Sequence, residues 1–143
     1  MKIALGADHG GFELKEKIKA HLIEKGHEVL DLGTHSTESV DYPTFGHAVG
    51  HAVADKKAEY GIVVCGTGIG ISIAANKVPG VRAALCTNTT MARLTREHND
   101  ANILAMGGRI VGDVLALEMV DIFLATDFQG GRHEKRVNAI ESI

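Results

Sequence analysis

The 143-residue chain has no excess of charge of either sign. Fifteen Lys and Arg stand against eighteen Asp and Glu, a net charge of −3. That balance argues against nucleic acid or an anionic membrane as the main partner. No apolar run approaches the ~20 residues needed to span a bilayer. There are only two cysteines, Cys65 and Cys86, and no CxxC. Neither a zinc site nor a disulfide framework is expected, and a reducing cytoplasm fits. Histidines are many, but His21, His27, His35, His47 and His51 are scattered, with no HExxH and no Cys/His cluster at metal spacing. A metal site is therefore not expected. Internal repeats, linkers and low-complexity segments are also missing. The start, Met1-Lys2-Ile3, enters a strand pattern directly and does not read as a signal peptide. With 45% hydrophobic and 23% charged residues, the expectation is one globular domain over residues 1–143, large enough to bury a core.

What is there is centred on Gly61–Gly70. The β-branched run Ile62–Val64 meets Cys65, and Gly66-Thr67-Gly68-Ile69-Gly70 puts glycine at every second position. A helix-compatible stretch, Ile71–Lys77, follows. This reads as a buried strand ending at a thiol, then a loop free to aim several N–H groups at one point. The N-terminus of a helix favours negative charge there and favours thiolate in a nearby cysteine.

The rest of the chain alternates in the same way. Ile3–Ala7, Glu28–Leu32, Gly61–Val64, Val81–Cys86 and Ile103–Met106 read as strands. Phe12–Lys25 has apolar residues at helical spacing, with Gly26 where a C-terminal glycine belongs. Pro43 opens a helix that runs to about Lys56. Asn88 can cap one that runs to about Glu97. Val111–Ala125 and Arg132–Ile143 complete the helices. Alternating strands and helices predict an α/β fold, a doubly wound five-stranded parallel sheet with helices on both faces. The expected strand order is 2-1-3-4-5. Ligands of such sheets bind beyond the carboxyl ends of the strands, which here are Asp8-His9, Cys65–Gly70, Cys86-Thr87-Asn88 and Met106–Arg109.

Each of these features has a plain reading beside the chemical one. Cys65 is an inert buried thiol or a reactive one; Cys86, with no glycine loop, reads as structural. The glycine loop is neither GxGxxG nor a Walker motif, and serves tight packing, a phosphate or an oxyanion. Asp8 is a turn residue or a ligand. His98 ends a helix or works as acid and base. Arg132 and Arg136 share a helical face, solvated or gripping phosphate together with Arg109. Tyr42 staples a helix or bonds a sugar.

Taken together, Gly6-Ala7-Asp8-His9-Gly10-Gly11, Asp41-Tyr42-Pro43, Cys65–Gly70, Glu97–Asn102, Gly107-Gly108-Arg109 and Arg132–Arg136 resemble the ribose/galactose isomerase family. That family comprises type B ribose-5-phosphate isomerases and the subunits of galactose-6-phosphate isomerase. The resemblance spans nearly the whole chain. It implies a Rossmann-like domain with no cofactor, working as a homodimer or tetramer whose active site lies between subunits. It implies that Cys65 moves a proton between C1 and C2 of the sugar, that Thr67 assists, and that the backbone of Gly66, Thr67, Gly68, Ile69 and Gly70 stabilises an enediolate. Asp8, His9 and Tyr42 would contact substrate, His98 would open the furanose ring, and Asn99 would bind beside it. Arg132 and Arg136 would grip the phosphate, with Arg109 reaching in from the partner subunit. One branch of the family places a glutamate base at the position of Ile69. Ile69 cannot take a proton, which leaves Cys65.

The implied activity is interconversion of ribose 5-phosphate and ribulose 5-phosphate in the non-oxidative pentose phosphate pathway of the cytoplasm. Two readings compete: the same chemistry on a six-carbon substrate such as allose 6-phosphate or galactose 6-phosphate, and a non-catalytic phosphosugar-binding module. A thiol redox protein is disfavoured by the absence of a resolving cysteine close to Cys65 in sequence.

Overall fold

The computed structural model describes residues 1–143. In chain order the elements are β1 (Lys2–Ala7), α1 (Phe12–Glu24), β2 (Glu28–Asp31), α2 (Tyr42–Ala54), β3 (Tyr60–Cys65), α3 (Ile69–Asn76), β4 (Ala83–Leu85), α4 (Thr89–Asn99), β5 (Ile103–Gly107), α5 (Asp113–Ala125) and α6 (Arg132–Glu141). All strand pairs are parallel. The helix signals in the sequence act as expected. Gly26 is left-handed after α1, Pro43 sits in the first turn of α2, and the Asn88 side chain accepts the Met91 N–H at 2.8 Å to cap α4.

The sheet order is β2-β1-β3-β5-β4, which corrects the expected 2-1-3-4-5. The reason lies in the strands themselves. β5 is buried along its whole length, whereas β4 is three half-buried residues. The apolar strand takes the inner place and the short one the edge. Handedness then fixes the layers. Right-handed crossovers that travel in opposite directions put their helices on opposite faces. β1→β2 and β4→β5 travel one way, and α1 and α4 share a face with α5. β2→β3 and β3→β4 travel the other way, and α2 and α3 share the opposite face.

Alternate residues of each strand feed the two cores. Ile3, Leu5, Ile62, Val64, Leu104 and Met106 pack under α1, α4 and α5, while Ala4, Val63, Cys65, Ile103 and Ala105 pack under α2 and α3. Ile18 of α1 and Phe123 of α5 are fully buried; truncating such a side chain to Ala costs about 2–5 kcal/mol.

Two polar devices close the sheet's margins. Lys15 of α1 is fully buried, its Nζ 2.7 and 2.8 Å from the two carboxylate oxygens of Asp31 at the end of β2. Burial pushes the Asp31 carboxyl up, but Lys15, the Gly33 N–H and Lys19 outweigh it and hold its pKa at about 2. At the other margin, Asn76 bonds both main-chain groups of Ala83 on edge strand β4. Its Nδ2 donates to the carbonyl at 2.9 Å, and its Oδ1 accepts the N–H at 2.8 Å.

Candidate active site

The sheet order selects the place where a site forms. β3 lies between β1 and β5. The helices that follow β1 and β5 leave on one face, and α3, which follows β3, leaves on the other. A crevice therefore opens at the carboxyl end of β3, where Cys65 sits.

The loop around Cys65 is held by main chain. The Cys65 carbonyl accepts the Gly108 N–H at 2.8 Å, and the Gly66 carbonyl accepts the Arg109 N–H at 2.9 Å. Cys65 is 5% exposed, and its Sγ accepts the Gly68 N–H at 3.1 Å. Gly68 has φ +81°, and a Cβ there would lie 2.6 Å from both Leu85 Cδ1 and the Met106 carbonyl carbon. No other residue could make this turn. Thr67 Oγ1 accepts the Ile69 N–H at 3.2 Å. The Tyr42 ring lies against Gly70, where a Cβ would come within 2.6 Å of it.

Asp8 and His9 join this end from β1. Asp8 is buried, and its Oδ1 accepts the N–H groups of Gly10 and Gly11 at 2.9 and 3.2 Å. This is the turn role, and both bonds use Oδ1. His9 Nδ1 accepts the Val40 N–H at 3.2 Å, so a neutral His9 carries its proton on Nε2. A cavity of about 370 Å³ is lined by His9, Gly10, Thr37, Gly108 and Arg109. Arg109 Nη1 lies where a Gly66 Cβ would be 3.2 Å away. Arg109 thus stands beside its own chain's cysteine loop. Cys86 is 1% exposed, and burial pushes its thiol up to about 11, in keeping with a structural thiol.

The other sequence candidates assemble elsewhere. His98 lies in the last turn of α4, and its ring stacks on His133 of α6 with centroids 4.3 Å apart and planes 15° from parallel. Arg132 and Arg136 lie exposed on α6 around His133, and Asn99 is exposed at the end of α4. Burial, then His98, Arg132 and Arg136, lower the pKa of His133 from its ordinary value. The Gln129 N–H donates to the Glu97 carbonyl at 3.1 Å and holds the segment before α6 onto α4. His133 lies inside the Arg132–Arg136 segment singled out in the sequence, but its own part in the site was missed. Its stack depends on α6 folding back onto α4, which no local pattern encodes.

These two clusters do not meet within one chain. The residues that follow His98 lead into the start of β5, while Cys65 pairs with Gly107 at its end. At about 3.3 Å per residue, the strand keeps them on the order of 13 Å apart. Larger hollows occur at the amino ends of the strands, one lined by Lys2, Tyr60 and Arg82, but neither cluster lines that one. No group of three or more His, Cys, Asp or Glu side chains is placed to hold a metal ion.

A family model described as Ribose/Galactose Isomerase matches residues 3–140. The chain belongs to this family. Among the ribose/galactose isomerases, ribose-5-phosphate isomerase B of Escherichia coli is 53% identical over 99% of this chain and 95% of that protein. The structure of ribose-5-phosphate isomerase B from Clostridium thermocellum is 60% identical, with a TM-score of 0.99 over 99% of this chain and 96% of that one. The Mycoplasma genitalium ribose-5-phosphate isomerase B, solved with bound ribulose-5-phosphate, is 40% identical with a TM-score of 0.94, over 99% and 94%. The Rossmann-like expectation is met across the family fold, the exchange of β4 and β5 apart.

Proposed function

We infer that the chain interconverts ribose 5-phosphate and ribulose 5-phosphate through an enediolate. The observation that carries this is the cysteine loop, a thiol facing a main-chain N–H inside a fold that matches type B ribose-5-phosphate isomerases nearly end to end. An aldose–ketose isomerisation needs one base beside the carbonyl and donors for the developing oxyanion.

Cys65 takes the proton from C2 of the open-chain aldose and returns it to C1. Main-chain N–H groups of Gly66, Thr67, Gly68, Ile69 and Gly70 carry the negative charge on O1, and the Gly68 N–H at Sγ stabilises charge on the base in turn. Thr67 helps to pass the hydroxyl proton. Oδ2 of Asp8, Nε2 of His9 and the Tyr42 hydroxyl serve the sugar. His98 opens the furanose ring, with Asn99 beside it. Arg132 and Arg136 bind the phosphate, joined by Arg109.

The separation of Cys65 from His98 supports a site shared between two copies, in a homodimer or a pair of dimers. Tyr42, Ile69 and Ile73 are 41%, 52% and 58% exposed beside the cysteine loop, an apolar surface that a second copy would cover. We place the protein in the cytoplasm, in the non-oxidative pentose phosphate pathway, as a single sugar-phosphate isomerase domain over residues 1–143, without a cofactor. No helix is long and apolar enough to cross a membrane.

The test is conversion of ribose 5-phosphate by purified protein with chelator present, and by Cys65→Ala beside it. Turnover that disappears in a folded Cys65→Ala supports the reading. Turnover that survives in the variant removes Cys65 as the base. No turnover by the parent on ribose 5-phosphate, against turnover on allose 6-phosphate or galactose 6-phosphate, moves the substrate to six carbons; no turnover on any of them leaves a binding module.

A further inference from the structure

Arg96 of α4 is 4% exposed, yet all the atoms of its fork are engaged. Its Nη1 donates to Asp100 Oδ1 at 2.8 Å and to the Ala101 carbonyl at 2.7 Å. Nε donates to the Thr126 carbonyl at 3.1 Å, and Nη2 to the Tyr60 hydroxyl at 3.0 Å. The guanidinium also lies over the Tyr60 ring, 4.9 Å from its centroid, with Phe123 at 5.8 Å. One side chain thus ties together three pieces of the molecule. These are the turn just after His98 and Asn99, the end of α5 from which the chain departs toward α6, and the start of β3. Asp100 holds a left-handed φ of 47° without being glycine. Such a backbone persists only where its surroundings impose it, and Arg96 is one of the groups that do.

Arg96 and His98 are two residues apart, about 200° around the helix. Arg96 therefore faces the core while His98 faces α6. We infer that Arg96 is the positioning residue that holds the His98–His133 face in register, so that ring opening depends on a side chain that never touches the sugar. The inference rests on the ring-opening role proposed for His98. A lysine cannot replace it, because a single ammonium cannot reach acceptors spread over three elements as a planar fork does.

Ribulose 5-phosphate provides the test. With its C5 oxygen esterified it cannot close a furanose ring, so exchange of its C1 hydrogen with solvent deuterium needs Cys65 but no ring opening. In Arg96→Lys, kcat on ribose 5-phosphate should fall tenfold or more, since a misplacement of about 1 Å can cost ~10²-fold. Deuterium entry at C1 of saturating ribulose 5-phosphate should stay within about twofold of the parent, because that step asks nothing of His98. His98→Asn should show the same split. If both readouts fall together in Arg96→Lys, or if neither moves, the inference is overturned.

Should Arg96→Lys not fold, Tyr60→Phe removes one of the four bonds and keeps the ring. A loss of about two- to fivefold in ribose 5-phosphate turnover with unchanged exchange supports the inference, and unchanged turnover overturns it. If the parent itself fails to turn over ribose 5-phosphate, or if His98→Asn is fully active, the underlying reading has failed instead. The imidazole proton shifts of His98 and His133 then decide the Arg96 claim alone: they must change in the Arg96 or Tyr60 variant if the stack depends on the clamp.

Discussion

At the Cys65 end of the sheet the groups that hold the thiol's loop are main chain. Loop carbonyls and N–H groups pair across β3 and β5, and glycines let the chain pass where a side chain would collide. At the His98 face the polar groups are side chains carried on two helices, two imidazoles in a stack flanked by arginines. Main-chain groups carry no titrating proton and cannot be substituted away, so the first region is set by loop register. The second is set by charge and by how two helices meet. The division suits an enzyme whose proton transfer must be placed to a fraction of an ångström, while its phosphate grip and ring opening rely on side chains carried on helices.

The contrast can be broken from either side. The largest effect is expected for Cys65→Ala, where kcat should fall by about 10²–10⁴-fold, the usual worth of a general base, with the melting temperature close to the parent's. Arg136→Ala should instead raise KM for ribose 5-phosphate by roughly tenfold or more, as for a lost charge-assisted bond, with a smaller change in kcat. Steady-state kinetics separates the two patterns, and a kcat loss at constant KM in Arg136→Ala would contradict the division. Mixing Cys65→Ala with His98→Asn, each impaired in ribose 5-phosphate turnover, should after dissociation and reassociation raise that turnover to roughly a quarter of the parent's if each site draws on two copies. No recovery would confine both clusters' work to one chain.

The smallest effect concerns pH. His133 has a lowered pKa in the folded chain, so the unfolded chain binds more protons as the solution is acidified. The stability that this histidine contributes is present above its unfolded pKa of about 6.5 and is lost as pH falls through that value toward the folded one. Urea titrations at about pH 7 and about pH 5 should show a smaller decline for His133→Gln than for the parent, and an equal decline would remove His133 as a source.

The same contrast explains what could be read from the amino acids. The cysteine end was legible because its parts are contiguous: β-branched residues, a thiol and alternate glycines follow one another from Ile62 to Gly70. The five strands and six helices were legible for the same reason. The order of β4 and β5 was not, because it depends on competition between two strands for one inner place, decided by the burial of Ile103–Gly107. Nor was the His98–His133 stack, which joins residues from two helices through Gln129 and Glu97. The approach of Arg109 to Gly66 was not legible either, because nothing local shows where its guanidinium lies.

The amide of Asn76 bears on a different property, colloidal behaviour. An open strand edge is a template for another chain, and β4, three apolar residues, is such an edge. Asn76 occupies both Ala83 main-chain groups with a single side chain, as a neighbouring strand would. It acts as a stopper on the sheet. Strand-to-strand addition at this edge should therefore be suppressed at high concentration, and Asn76→Ala should scatter light on standing well before any change is seen in turnover.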